Sequence, residues 1–136
     1  MIQRLTHTTV WVLDQERAKK FYVDKLGFEV REDTSMGTFR WLTVSPKGQP
    51  DLEMVLMAVA ANPMMDAAGA EQLRALVEKG VLGNGVLGTD DCQRTYEELL
   101  AKGVAFRGPP REQPYGIEVM LQDDSGNWFS LCQRRR

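Results

Sequence analysis

Histidine is almost missing from this chain. One residue in 136, His7, carries an imidazole. An iron centre of two histidines and one carboxylate therefore cannot form within one chain. Two chains would supply it only by placing both His7 side chains on a symmetry axis. Cysteine is scarce as well. Cys92 and Cys132 have no CxxC spacing and are too few for a disulfide framework, so both are expected as reduced thiols. No apolar run approaches the ~20 residues of a membrane span. The opening "MIQRLTHTT" lacks the apolar stretch of a secretory signal, and a cytoplasmic location is the expectation. There is no excess of positive charge either. A net charge of −2 argues against nucleic acid or an anionic membrane as partner. Arg134, Arg135 and Arg136 read as a solvated basic end. Gly83, Gly85 and Gly88 lack the P-loop lysine and the dinucleotide spacing, so they read as turn and strand glycines.

What is present suits one globular domain over 1–136, with 43% hydrophobic and 26% charged residues. "THTTVWV" alternates like a strand, with Val10 and Val12 on one face and His7, Thr9 and Trp11 on the other. Asp14 follows as a helix cap. Ala18, Phe21, Tyr22 and Leu26 then recur at helical spacing until Gly27. "FEVRED", "TFRWLTV" and "DLEMVLMAV" read as three further strands. A connector over 61–82 follows, with Asp66 capping a helix through Leu73, Leu76 and Val77 that Gly80 stops. The order then recurs: strand "GNGVLGT", a helix after Asp90 and Asp91, strand "VAFRG", a loop at Pro109 and Pro110, and strands "YGIEVMLQDD" and "NWFSLCQ". An offset of 77 residues carries Asp14 onto Asp91, Arg17 onto Arg94 and Met54 onto Leu131, and a one-residue gap carries Gly27 onto Gly103. The fold class is therefore α+β, with two βαβββ modules over 1–60 and 83–136 joined by the helical linker.

The phrases "HTTVWVLDQERAKKFYVDKLGFEV" and "QDDSGNWFSL" resemble the vicinal oxygen chelate superfamily. That superfamily includes glyoxalase I, bleomycin-resistance and fosfomycin-resistance proteins and extradiol dioxygenases. The resemblance implies two modules side by side, each curling a sheet around an open cavity, and a homodimer in which both chains bound the site. In metal-dependent relatives the ligands come from the first and last strands of each module. Those positions in the first module are His7 and Glu53, and the 77-residue offset takes them to Asn84 and Ser130. An amide and a hydroxyl are weak donors, so His7 and Glu53 are the expected metal ligands and Glu118 a possible substitute for the missing carboxylate. A conventional dioxygenase and a fosfomycin-type site both fail on the histidine count.

Strand parity assigns the cavity wall. Leu52, Met54 and Leu56 face the helices, so Glu53, Val55 and Met57 face the cavity. Phe129 and Leu131 face the core, so Trp128, Ser130 and Cys132 face the cavity with Asn84 and Val86. His7, Trp11, Glu53, Asn84, Glu118, Trp128 and Ser130 are the candidate ligand-binding residues. Two readings follow. One is a bleomycin-resistance-type protein that binds or sequesters an amphipathic or aromatic metabolite or antibiotic without an essential metal. The alternative is a lyase or isomerase of glyoxalase type whose divalent metal ion is held by His7 and Glu53. A third role for His7 stays open, as a strand residue hydrogen-bonded to Glu53 or water.

Overall fold

Asp14 and Asp91 open the two halves in the same way. Each carboxylate accepts the backbone N–H three residues on, from Arg17 at 2.9 Å and from Arg94 at 3.0 Å. The computed structural model describes residues 1–135. The first half runs β1 (His7–Val12), α1 (Gln15–Lys20), β2 (Glu29–Met36), β3 (Phe39–Ser45) and β4 (Glu53–Ala58). A connecting helix α2 (Ala67–Lys79) follows, ended by left-handed Gly80. The second half runs β5 (Gly83–Gly88), α3 (Cys92–Ala101), β6 (Ala105–Gln113), β7 (Gly116–Gln122) and β8 (Trp128–Arg134).

Among the described residues these strands form two four-stranded sheets, in the orders β1-β4-β3-β2 and β5-β8-β7-β6. In each half the first strand pairs parallel with the last, and the other pairings are antiparallel. The α+β class and the two similar modules stand as expected from the repeat. Neither sheet closes into a barrel.

One apolar core serves both sheets. Val10, Val12, Leu42, Val44, Met54 and Leu56 from the first join Val119, Leu121, Phe129 and Leu131 from the second. The helix after Asp14 shows why. Past Lys20 it widens into a π-helical turn over Phe21–Lys25, and Leu26 N–H reaches back to Phe21 O at 3.2 Å. The wider turn lets two consecutive aromatics, Phe21 and Tyr22, both enter the core. The Tyr22 ring meets Phe28 at 5.7 Å and Phe129 of the other half at 6.4 Å.

A polar latch joins the halves at the same place. Tyr22 O–H donates to Asp123 Oδ2 at 2.7 Å. Asp123 Oδ1 also accepts the N–H groups of Ser125, Gly126 and Asn127, and Asn127 Nδ2 reaches both Asp123 Oδ2 and Trp11 O. Ser125 Oγ accepts Leu13 N–H at 2.9 Å. Burial and the neighbouring carboxylate push the Tyr22 phenol well above its ordinary value.

Three local readings differ from the sequence. "FEVRED" is the start of a longer strand that runs to Met36 and a two-residue turn at Gly37 and Thr38. Pro109 and Pro110 do not open a loop. They lie inside β6, an edge strand whose register shifts between Arg107 and Arg111, where a missing N–H costs no ladder bond. A further shift between Gly83 and Gly85 leaves Asn84 as the extra residue of β5, so strict alternation fails there.

Candidate functional site

Each sheet has one face in the core and one turned away from its helix. The outward face of the first sheet carries His7, Thr9 and Trp11 from β1 and Glu53, Val55 and Met57 from β4. Val55 pairs with Thr43, which adds Trp41, Thr43 and Ser45 from β3. Glu32 and Thr34 of β2 lie opposite Thr43 and Trp41. Thr43 and Ser45 are 0% exposed and Val55 3%, although all three point away from the core. A flat, open sheet would leave them wet. Here the longer side chains around them close over them, Arg31 on Ser45 and Glu53 on Thr43.

That covering layer is tied by hydrogen bonds. Thr43 Oγ1 donates to Glu53 Oε1 at 2.7 Å and accepts Glu32 N–H at 3.0 Å. Arg31, the extra residue of a bulge between Val30 and Glu32, donates to Ser45 Oγ at 2.7 Å. Glu53 is thereby aimed at the imidazole, with its Oε2 3.5 Å from His7 Nε2. His7 Nδ1 lies 2.9 Å from Thr6 Oγ1. Nε2 itself is shielded from solvent and has no hydrogen-bond partner. The Trp41 ring stands 5.8 Å from the imidazole, tilted by 51°.

His7, Glu32 and Glu53 each offer one ligand atom, and these atoms lie within 4.8 Å of one another. An imidazole with a free nitrogen and two carboxylates are a fitting donor set for a divalent transition ion. The residues present therefore fit the metal that the resemblance implies.

The second sheet repeats the design with its parts exchanged. In the first, a hydroxyl on the third strand donates to a carboxylate on the fourth. In the second, Ser130 Oγ on the last strand, β8, donates to Glu118 Oε2 on β7 at 2.5 Å. The registers correspond: Thr43 pairs with the residue two beyond Glu53, and Glu118 with the residue two beyond Ser130. Tyr115 O–H also donates to Glu118, at 2.7 Å. These donors, Ser130 first, hold the Glu118 carboxyl below its ordinary range. Trp128 is half-buried. Its Nε1 donates to Gly80 O at 2.6 Å, and the Arg107 guanidinium sits 4.3 Å over its ring.

The structure thus brings together His7 with Glu53 and Ser130 with Glu118. It does not join the two pairs: among the described residues, no hydrogen bond links them within the chain. Trp11 is half-buried beside Met57, and its carbonyl serves the latch. Asn84 lies at the bulge with its amide 3.4 Å from Leu82 O. Sequence reasoning missed Glu32, Thr43, Tyr115 and Arg107 and left Trp41 unplaced. For Glu32 the signal existed. Counting pairs back from the turn at Gly37 and Thr38 puts Glu32 opposite Thr43, but only once "EDTSM" is read as strand.

The mixed sheets of paired βαβββ units, open on one face, define the glyoxalase type of fold. The chain belongs to the Glyoxalase/Bleomycin resistance protein/Dioxygenase superfamily, whose family model matches residues 4–131. It is 50% identical to UcmS2, whose crystal structure superposes with a TM-score of 0.91, over 98% of this chain and 99% of that one. It is 34% identical to TnmS3, an antibiotic binding protein from Streptomyces sp. CB03234, at a TM-score of 0.77 and 98% of both chains. It is also 33% identical to the uncharacterized protein YetH of Bacillus subtilis (strain 168), over 96% of this chain and 98% of that protein. No helix among the described residues is long and apolar enough to cross a membrane.

Proposed function

We propose that this chain binds and sequesters a small amphipathic or aromatic molecule, a metabolite or an antibiotic, against the outward face of its first sheet. The observation that carries this reading is the pair of half-buried indoles on this face, Trp11 beside Met57 and Trp41 beside His7, with Glu53 next to the imidazole. Indole walls offer flat apolar area, and His7 and Glu53 offer polar orientation. The antibiotic-binding relative TnmS3 supports the ligand class.

A homodimer completes the site. The first face carries Glu32 and Glu53, and the second carries Arg107 and Arg111 opposite Met120 and Glu118. Faces of opposite charge favour closing one copy's first sheet over the partner's second. Trp128, Ser130 and Glu118 then line the far wall from the second copy, while Asn84, the bulge residue, lies on the opposite side with Val10, Met54 and Phe129. Titrating tryptophan fluorescence with a panel of polycyclic aromatic antibiotics tests the ligand. Sedimentation equilibrium tests the dimer. Saturable quenching that Trp41→Ala weakens at least tenfold is expected, and quenching by none of the panel would contradict the reading.

A second reading rests on the unpartnered His7 Nε2 beside two carboxylates. A divalent ion held by His7, Glu32 and Glu53 would supply a Lewis acid that polarises a substrate oxygen. Thr43 would fix Glu53 in its ligating orientation, and Trp41 would limit water around the imidazole. Melting temperature with Mn²⁺, Ni²⁺, Zn²⁺ and Mg²⁺ tests it, since an ion bound by the native state raises stability by mass action.

A further inference from the structure

A groove of about 980 Å³ lies on the opposite side of the second sheet from Ser130 and Glu118. It runs between α3, the end of the π-helical turn and the loop joining β3 to β4. Its floor is apolar: Phe28 from the first half, with Leu99, Leu121 and Leu131 from the second. Its rim is cationic, with Lys25, Lys47 and Lys102 all lining it. Among the described residues none of these three lysines pairs with a carboxylate. Glu98, also on the rim, is taken by Arg94 at 3.2 Å. Lys25 reaches toward the Phe21 ring at 5.9 Å, and Lys102 Nζ lies 3.5 Å from Lys25 O.

We propose that this groove is a second ligand site, for an amphipathic anion with an apolar body and a carboxylate head. The volume falls in the range of small-molecule sites. The floor takes the body out of water. The lysine rim supplies the charge-assisted hydrogen bonds that a carboxylate accepts. Three uncompensated ammonium groups around apolar side chains select against a cationic ligand and give a neutral one no head-group partner. The site goes beyond the outward sheet faces, because Leu121 and Leu131 point to the other side of their strands from Ser130 and Cys132. Occupancy of one does not obstruct the other.

Calorimetric titration with dodecanoate, dodecanol and dodecylammonium tests the proposal, at concentrations below micelle formation. Dodecanoate is expected to bind at one site per chain, at least tenfold tighter than either control. Lys47 and Lys102 are exposed, so Lys47→Glu with Lys102→Glu leaves the fold intact, which an unchanged melting temperature verifies. That variant is expected to lose dodecanoate affinity at least tenfold and to keep its response to aromatic antibiotics. Ala101→Trp, an exposed rim position, is expected to block dodecanoate without touching the lysines. Equal binding of all three amphiphiles, no saturable binding of dodecanoate, or undiminished affinity in the charge-reversed variant would each overturn it. Lysines that merely offset helix C-termini would show as lost melting temperature with unchanged binding.

Discussion

Replacing Tyr22 by phenylalanine removes one oxygen and leaves the packing volume as it is. That oxygen joins the two halves. It is fully buried and donates to Asp123 Oδ2 at 2.7 Å, across 101 residues of sequence. A hydrogen bond to an ionised group contributes about 1.5–3 kcal/mol. Asp123 keeps four other donors: three backbone N–H groups on Oδ1 and Asn127 Nδ2 on Oδ2. The acceptor is therefore not stranded, and the lower half of that range, about 1.5–2 kcal/mol, is the expected loss for Tyr22→Phe. For a domain of this size, about 3–5 °C of melting temperature goes with each kcal/mol. The urea midpoint is expected to fall by roughly 1 M with an unchanged slope. Asp123→Ala removes the acceptor from all five donors and is expected to cost more, about 3–5 kcal/mol. Urea unfolding of both single variants and the double variant gives the coupling, expected at about 1 kcal/mol or more. A Tyr22→Phe variant within about 0.5 kcal/mol of wild type, or a cycle with no coupling, would refute the idea that this bond fastens the halves.

Other perturbations have equally definite outcomes. A Cβ at Gly116 would collide with the carbonyl oxygen of Gln133, and the residue sits at φ +149°, so Gly116→Ala is expected to cost about 2–5 kcal/mol by chemical denaturation. Gly48→Ala, with nothing within 4 Å of the added carbon, is the matched control, expected within about 0.5 kcal/mol of wild type. Arg40 and Lys19 hold the Asp33 carboxyl well below its ordinary 3.8. A depressed acid stabilises the fold above its unfolded value, and that contribution is lost as pH falls through the folded one. Asp33→Asn is therefore expected to be less stable than wild type above about pH 5, by under about 1 kcal/mol for a pair open to solvent. The two curves should converge toward pH 2, and a gap that widens on acidification would reverse the assigned sign. Under the metal reading, Mn²⁺ or Ni²⁺ raises the melting temperature of wild type and Glu53→Gln or Glu32→Gln reduces that rise. An equal rise in His7→Ala would place the ion elsewhere.

Much of the fold could be read along the chain because two aspartate caps, two glycine stops and alternating strands recur in one order. The core faces followed from alternation wherever the ladder is regular, as for Val10, Val12, Met54, Leu56, Phe129 and Leu131. Reading failed where the ladder is not regular. The bulge at Arg31 hid Glu32, the bulge at Asn84 broke the parity that assigned that residue, and β6 carries two prolines that an interior strand would not tolerate. The candidate site was half legible. His7 and Glu53 occupy one register pair of parallel strands and so could be placed from pattern. Thr43, which aims Glu53, and Tyr115, which holds Glu118, act across a hairpin and around a turn, and their role depends on side-chain reach that periodicity does not encode.

The claim that matters most is that ligand lodges against the outward face of the first sheet. The chain has three tryptophans, and each indole N–H gives its own signal in a ¹H–¹⁵N spectrum. A polycyclic aromatic antibiotic that quenches the protein's fluorescence should move the Trp11 and Trp41 signals, and also the Trp128 signal if the second copy closes the site. Saturable binding with both of those signals still, and the shifts gathered instead on α3 and Lys102, would contradict the account.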